Sequence, residues 1–374
     1  MTEKEALVGL NLVRGIGSNR LKKLLEYFQK PQNIIAAKAA QLKRIEGIGE
    51  EIATNITHLK KEDIEKEFDL IQKHDLEILT LNDTAYPENL KNIYDPPPVL
   101  YIKGTLSPQD KLSIAIVGSR RASFYGLNSA EKFAYELASM GFTVVSGLAY
   151  GIDTQAHKGA LKAGNRTIAV LGSGLAKIYP AENKKLAGEI AQHGAVISEF
   201  PIQEEPRRQN FPCRNRVISG LSMGVLVVEA ARNSGALITA DFSLEQGRDV
   251  FALPGKIDSQ TSFGTNSLIK QGAKLVASVE DILEELNLTG FSGSESAVKQ
   301  ETLRKREEVA KISDLTPEES LLYNSLSNEP LQFDDLVDKL KLETSLVIKT
   351  LFTLEMKKVI RQFPGKQFAR NTSA

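Results

Sequence analysis

Between about Ser107 and Leu286, short β-branched apolar runs take turns with amphipathic stretches that begin after a glycine or a capping residue. The runs are IAIVG at 114–118, FTVVS at 142–146, TIAVL at 167–171, AVIS at 195–198, GVLVV at 224–228, DVFA at 249–252 and KLV at 274–276. Their apolar character is nearly continuous, as expected for strands covered by helices on both faces. Strand and helix in alternation predict an α/β fold built on an extended Rossmann-type, doubly wound parallel sheet spanning 107–286.

Two segments of different grammar flank this core. Residues 1–80 read as helical and contain VRGIGSNRLKKLLEYF and RIEGIGEEIATNI, each a Gly-Ile-Gly turn leading into an amphipathic helix. Both resemble the helix-hairpin-helix, SAM-like unit, which can aim backbone N–H groups at a phosphate. Arg20, Lys22 and Lys23 follow the first copy. Glu50 and Glu51 follow the second and would repel a phosphate, and two hairpins simply packed into a helical bundle are the other reading. A connector is expected at 81–106, where Pro96, Pro97 and Pro98 exclude helix. Residues 287–313 are polar and read as a linker. Residues 314–370 predict a winged helix: Thr316, Pro317 and Glu319 make a capping box, two more helices follow, and a hairpin turns at Pro364 and Gly365. Such a domain docks on DNA or on protein, and its third helix, 344–356, offers only Lys349, offset by Glu355.

In a parallel α/β sheet the ligand crevice lies outside the carboxyl ends of the strands. Small residues collect there: Gly118, Ser119 and Arg120 after the first run, Gly147 after the second, Gly172 and Gly174 after the third, and Gly235 beyond the fifth. Turns of this kind expose backbone N–H groups beside helix starts and bind anions, phosphate above all. A dinucleotide site is poorly supported, because Lys177 stands where the third glycine of the fingerprint belongs, and no phosphate loop of the Gly-Lys-Ser/Thr type occurs. His58, His74, His157 and His193 are scattered, so neither cofactor nor metal is expected. The segment EEPRRQNFPCRNRVISG gathers Arg207, Arg208, Arg214 and Arg216 around Phe211. Arginines for phosphates and an aromatic face for an unpaired base are what a single strand requires.

Charge does not announce such a partner, since 47 Lys and Arg balance 47 Asp and Glu; local distribution must carry it. The single cysteine, Cys213, rules out an intrachain disulfide framework. No run of apolar residues is long enough to span a bilayer, and the amino terminus has no secretory pattern, so a cytoplasmic protein without a membrane partner is expected.

Seven blocks in order, from VGSRRAS through VVSGLAYGIDTQAHKGAL, TIAVLGSGLAKIYPAEN, ISEFP, FPCRNRVISGLS and VVEAARNSGALITADFSLEQGRDVFALPG to GTNSLIKQGAKLV, resemble the DNA-processing protein A (DprA/Smf) family over roughly 86–286. The resemblance implies a non-enzymatic dimer that binds incoming single-stranded DNA in natural transformation, protects it and loads RecA recombinase. It places the family's DNA pocket on Ser119, Arg120, Arg208 and Phe211, with Asn215 and Arg216 beside them and Arg121 unassigned. It also makes Leu268 and Ile269 candidates for the dimer interface. A competing reading is a nucleotide N-glycosidic hydrolase of Rossmann type, for which Glu229 is the one carboxylate in a suitable place.

Overall fold

The computed structural model describes residues 1–288, 315–327, 330–357, 359–363 and 365–370. Beyond its first two residues the expected linker lies outside the described residues, as does Pro364. The chain divides into two compact units, Met1–Phe291 and Ser292–Ala374.

The first unit is built on a nine-stranded sheet: β1 (Glu77–Thr80), β2 (Val99–Gly104), β3 (Ser113–Val117), β4 (Thr143–Ser146), β5 (Thr167–Val170), β6 (Ala195–Ser198), β7 (Gly224–Val227), β8 (Asp249–Ala252) and β9 (Lys274–Leu275). Each of the seven expected runs holds a strand, β3 to β9. The strand order is β1-β2-β6-β5-β4-β3-β7-β8-β9. From β6 to β9 all neighbours are parallel. The chain starts this parallel part in the middle, at β3, runs outward to β6, then crosses back to β7 on the other side of β3. The order therefore reverses between β3 and β7, and that is where a crevice opens at the strand ends.

Side chains on β3 show how the layers form. Ile114 and Ile116 point into a core with Ala130, Phe133 and Leu137 of helix Phe124–Ser139 and Ile152 and Ala156 of helix Ile152–Lys162. Ala115 and Val117 point the other way, into a core with Val217 and Ile218 of helix Asn210–Leu221 and Ala240 of helix Gly235–Glu245. Both faces are dry, which explains why the runs lack polar alternation.

The stretch expected as a connector does more than connect. β2 begins directly after the prolines and pairs antiparallel with β6, from Tyr101↔Ser198 to Gly104↔Ala195, and β1 pairs antiparallel with β2. The prolines forbid helix but leave extended backbone open. Gly104 has φ +94, and a Cβ there would collide with the Gly194 carbonyl, so only glycine lets the two chains approach.

The amino-terminal helices share a core with this sheet: Leu10, Leu21, Leu24 and Ile56 pack in one cluster with Val99, Tyr101 and Val196. Both Gly-Ile-Gly turns form as expected, with Gly15 and Gly47 at positive φ and helices starting at Ser18 and Glu50. The basic residues of the first copy have partners within the protein although Arg20 and Lys22 are exposed. Arg20 donates to the carbonyls of Gly15 (2.8 Å) and Gly47 (3.0 Å), clasping the two turns together, and Lys23 pairs with Glu46 at 2.9 Å. Lys22 lies 5.2 Å over the ring of Tyr94.

The second unit has helices Pro317–Ser325, Phe333–Leu340 and Thr344–Met356 and a small sheet of β10 (Leu331–Gln332), β11 (Ile360–Phe363) and β12 (Gln367–Arg370), ordered β10-β12-β11. This is a winged helix. Its capping box is made: Thr316 Oγ1 accepts from the Glu319 amide (3.2 Å) and Glu319 Oε2 from the Thr316 amide (2.8 Å). Helix Thr344–Met356 turns Ile348, Phe352 and Met356 outward, an apolar stripe without side-chain hydrogen-bond donors or acceptors for base edges. No helix among the described residues is long and apolar enough to cross a membrane.

Candidate nucleic-acid interface

A cleft of about 1300 Å³ lies at the β3/β7 reversal. The turn after β3 supplies Gly118, Ser119, Arg120 and Arg121; the start of helix Asn210–Leu221 and the loop before it supply Arg208, Phe211, Arg214 and Asn215; the loop after β7 supplies Arg232, Asn233 and Gly235. The sequence-distant halves of the expected site thus meet at one place.

The turn after β3 is fixed from below. The Ser119 amide donates to the Glu229 carbonyl at 2.8 Å, and the Arg121 amide donates to Ser119 Oγ at 3.1 Å. Two arginine side chains are thereby delivered to the rim. Arg121, which the sequence left without a place, lines the cleft beside Arg120.

Phe211 is the centre of the cationic group. The Arg120 guanidinium stands 5.2 Å from its ring centroid and that of Arg214 stands 5.9 Å away. Tyr179 packs on it with centroids 5.8 Å apart and is itself 42% exposed. Nothing in the sequence reading singled out Tyr179, although it stands in the quoted block TIAVLGSGLAKIYPAEN. Among the described residues Arg120, Arg121 and Arg208 form no ion pair, although the Asp153 carboxyl of the same cleft feels the charge of Arg120, whereas Arg207 pairs with Glu204 at 3.2 Å.

The remaining arginines play other parts. Arg214 is buried; its Nη1 donates to the carbonyls of Gly147 (2.6 Å) and Val170 (2.5 Å), and its Nε to Asn215 Oδ1 (3.1 Å). Asn215 in turn donates to the Gly235 carbonyl at 3.1 Å, joining the two walls. Burial pulls Arg214 down to about 10, which leaves it cationic near neutrality. The same burial lifts the Asp153 carboxyl, opposed by Arg214 and by the Ala149 and Gly147 amides. Burial, with Arg214 adding to it, pushes His157 down to about 3, so it is a neutral core histidine holding Thr167 at 2.7 Å. Arg216 departs from expectation: it does not line the cleft but is buried on the far side of its helix, bonded to Glu199, to Asp95 at 3.1 Å and to Ser18 at 3.1 Å.

The strand-end glycines also depart from expectation. Gly147, Gly172 and Gly174 lie behind the lining. The Gly147 amide donates to Asp153 (3.2 Å) and that of Gly174 to the Glu204 carbonyl (2.8 Å), so neither is free for a phosphate. What they contribute is room. A Cβ on Gly172 would lie 2.7 Å from Phe211 Cδ1, and one on Gly147 would strike the Arg214 guanidinium. Gly235 does line the cleft, with open space where its Cβ would be.

Glu229 is 2% exposed and its carboxylate is fully engaged. It accepts from the Ser123 amide (2.8 Å), the Ser123 hydroxyl (2.5 Å) and the Thr261 hydroxyl (3.1 Å). Cys213 is exposed at its helix surface, and partial desolvation by its surroundings with the nearby Glu199 charge holds its thiol up. Leu268 is 6% exposed and packs in the core, so it offers no interface; Ile269 is only partly buried against that core. Phe263, missed in the sequence, carries the Arg232 guanidinium 4.2 Å above its ring, and both line the cleft. No cluster of three or more potential metal-binding side chains occurs among the described residues.

Comparison with known proteins agrees with this architecture. Residues 77–287 match the family model of DNA recombination-mediator protein A, 306–366 the DprA winged helix domain, and 9–58 the SAM-like helix-hairpin-helix tandem. Protein Smf of Synechocystis is 34% identical over 96% of both chains. The DNA processing protein DprA of Bacillus subtilis is 46% identical over 56% of this chain and 70% of its own. The structure of Streptococcus pneumoniae DNA processing protein A superposes with a TM-score of 0.67 at 37% identity, covering 76% of this chain and 99% of that one. That of the Helicobacter pylori protein, described for its single-stranded DNA binding mode, gives 0.51 at 32% identity over 57% and 97%. With its sheet, both flanking domains and nearly its whole length matched, the chain belongs to the DNA recombination-mediator protein A family.

Proposed function

We propose that the cleft binds single-stranded DNA, and that the protein serves natural transformation in the cytoplasm by protecting incoming strands and loading RecA on them, as a dimer and without catalysing a reaction. One observation carries the binding reading: a partly exposed aromatic ring, Phe211, stands between arginines in a cleft whose Arg120, Arg121 and Arg208 form no ion pair among the described residues. Arginine contacts to phosphate supply sequence-independent affinity, and the ring accepts any base. In this reading Ser119, Arg120, Arg208 and Phe211 touch the strand, Arg214, Asn215 and the glycines shape the site, and Arg216 serves the fold. The Helicobacter pylori relative supports the choice of ligand. The roles in transformation and RecA loading rest on family membership. The hydrolase reading is disfavoured because Glu229, its one candidate carboxylate, is buried and saturated with hydrogen bonds.

The test is binding of a labelled oligonucleotide at several salt concentrations. Phe211→Ala is expected to cost ~1–3 kcal/mol, about fivefold to a hundredfold in affinity. Arg120→Ala should weaken binding and also flatten the salt dependence by about 0.7 in log–log slope, the share of one phosphate contact. Unaltered binding in both variants would refute the assignment.

A further inference from the structure

The cleft holds a second ring that the Phe211 group does not use. Phe263 opens helix Phe263–Lys270, is 44% exposed, and belongs to none of the hydrophobic cores, while Leu268 of the same helix is buried. A phenylalanine in that position adds little to packing. Over it lies the Arg232 guanidinium, at 4.2 Å, exposed and with no acidic partner among the described residues. Arg232 and Phe263 thus repeat the pairing of Arg120 with Phe211, and all four line one cleft.

We propose that Phe263 and Arg232 form a second base-stacking subsite, which takes a different nucleotide of the same bound single strand. The guanidinium plane offers a flat cationic face to a base, its N–H edges are positioned for a neighbouring phosphate, and the ring beneath holds it in that orientation. The two stacks are set apart across the sheet. Phe211 sits against Gly172, just past β5, and Gly264 donates to the Ala230 carbonyl, just past β7. Between β5 and β7 lie β4 and β3, so the strand ends beneath the two stacks are three strand spacings apart, ~14 Å. One base cannot reach both rings, and a strand laid along the carboxyl ends passes each in turn.

This inference rests on the single-strand reading, and the experiment separates the two. The full chain is titrated with a short oligo-dT carrying one abasic spacer at successive positions, for wild type, Arg120→Ala, Phe211→Ala, Phe263→Ala, Phe263→Leu and Phe263→Trp. Phe263→Ala should weaken binding of the intact strand roughly fivefold or more, the value of one lost stack. It should also abolish the abasic penalty at one position, different from the position silenced by Phe211→Ala. Phe263→Leu keeps apolar bulk without a ring and should match the alanine variant, whereas Phe263→Trp should restore wild-type affinity. Wild-type affinity and an unchanged abasic profile in Phe263→Ala or Phe263→Leu, alongside weakened Arg120→Ala and Phe211→Ala, would overturn the second subsite alone. Binding that ignored Arg120 and Phe211 as well would overturn the underlying reading.

Discussion

Phe211 can stand at the centre of the cleft because residue 172 has no side chain, and Arg214 can brace it from behind because residue 147 has none. Gly172→Ala is therefore a sensitive substitution. Its methyl group would lie 2.7 Å from Phe211 Cδ1, and since that ring is only half buried, the ring rather than the backbone should give way. The expected outcome is weaker oligonucleotide binding, by about fivefold or more, with an unchanged melting temperature; anisotropy titration and thermal denaturation measure the two. The sequence marked these glycines correctly as belonging to the strand ends but assigned them the wrong physical use. A glycine serves either to expose an amide or to admit a neighbour, and only the fold decides between them. The neighbours, Phe211 and Arg214, come from about forty to seventy residues away, so nothing local could tell. Arg121 escaped for a related reason: the Ser119 hydroxyl that anchors its amide sets its direction, and that bond exists only in the folded turn.

At the level of elements, helix Asn210–Leu221 has two working faces. At 3.6 residues per turn, Arg214 and Arg216 are about 200° apart, so one faces the cleft and the other faces away. The sequence held this information, but counting arginines in a cluster concealed it. Arg216 joins Glu199 and Asp95 to Ser18 at the start of an amino-terminal helix. Arg216→Ala would leave the buried Glu199 carboxylate without its counter-charge, at a cost of about 3–5 kcal/mol. Denaturant unfolding should show that loss, while oligonucleotide affinity of the folded protein stays near wild type. If affinity fell with stability intact, Arg216 would belong to the ligand site after all. The strands β3 to β8 were legible because burial on both faces writes itself as continuous apolar runs, whereas β9 is an exposed edge strand, with Leu275 46% exposed, whose short run KLV lacks that cause. β1 and β2 carry the same signal, ILT at 78–80 and VLYI at 99–102, both buried, and escape notice because the proline-rich stretch between them reads as a connector.

On the scale of the molecule, the division between units gives a prediction about truncation. A chain ending at Phe291 retains the sheet, the cleft and the amino-terminal helices, and should bind oligonucleotides as the full chain does. A chain beginning at residue 105 should fail. It lacks β2, which covers the edge of β6, and it lacks Ser18 and Asp95, two partners of Arg216. An uncovered strand edge invites association with other chains, so size-exclusion chromatography should find aggregate where the longer fragment gives a single discrete species. The arginines of the cleft, Arg120, Arg121 and Arg208, which form no ion pair among the described residues, sit in a chain whose charges, theirs included, sum to zero. At physiological salt an exposed charge is felt over about 8 Å, so little field reaches beyond the mouth of the recess. Encounter is then governed by collision rather than by attraction from afar. If the cleft takes single strands as proposed, such a protein is not drawn from afar to every polyanion it passes, and what it retains is selected after entry, by whether a base can leave its own stack and settle on a ring.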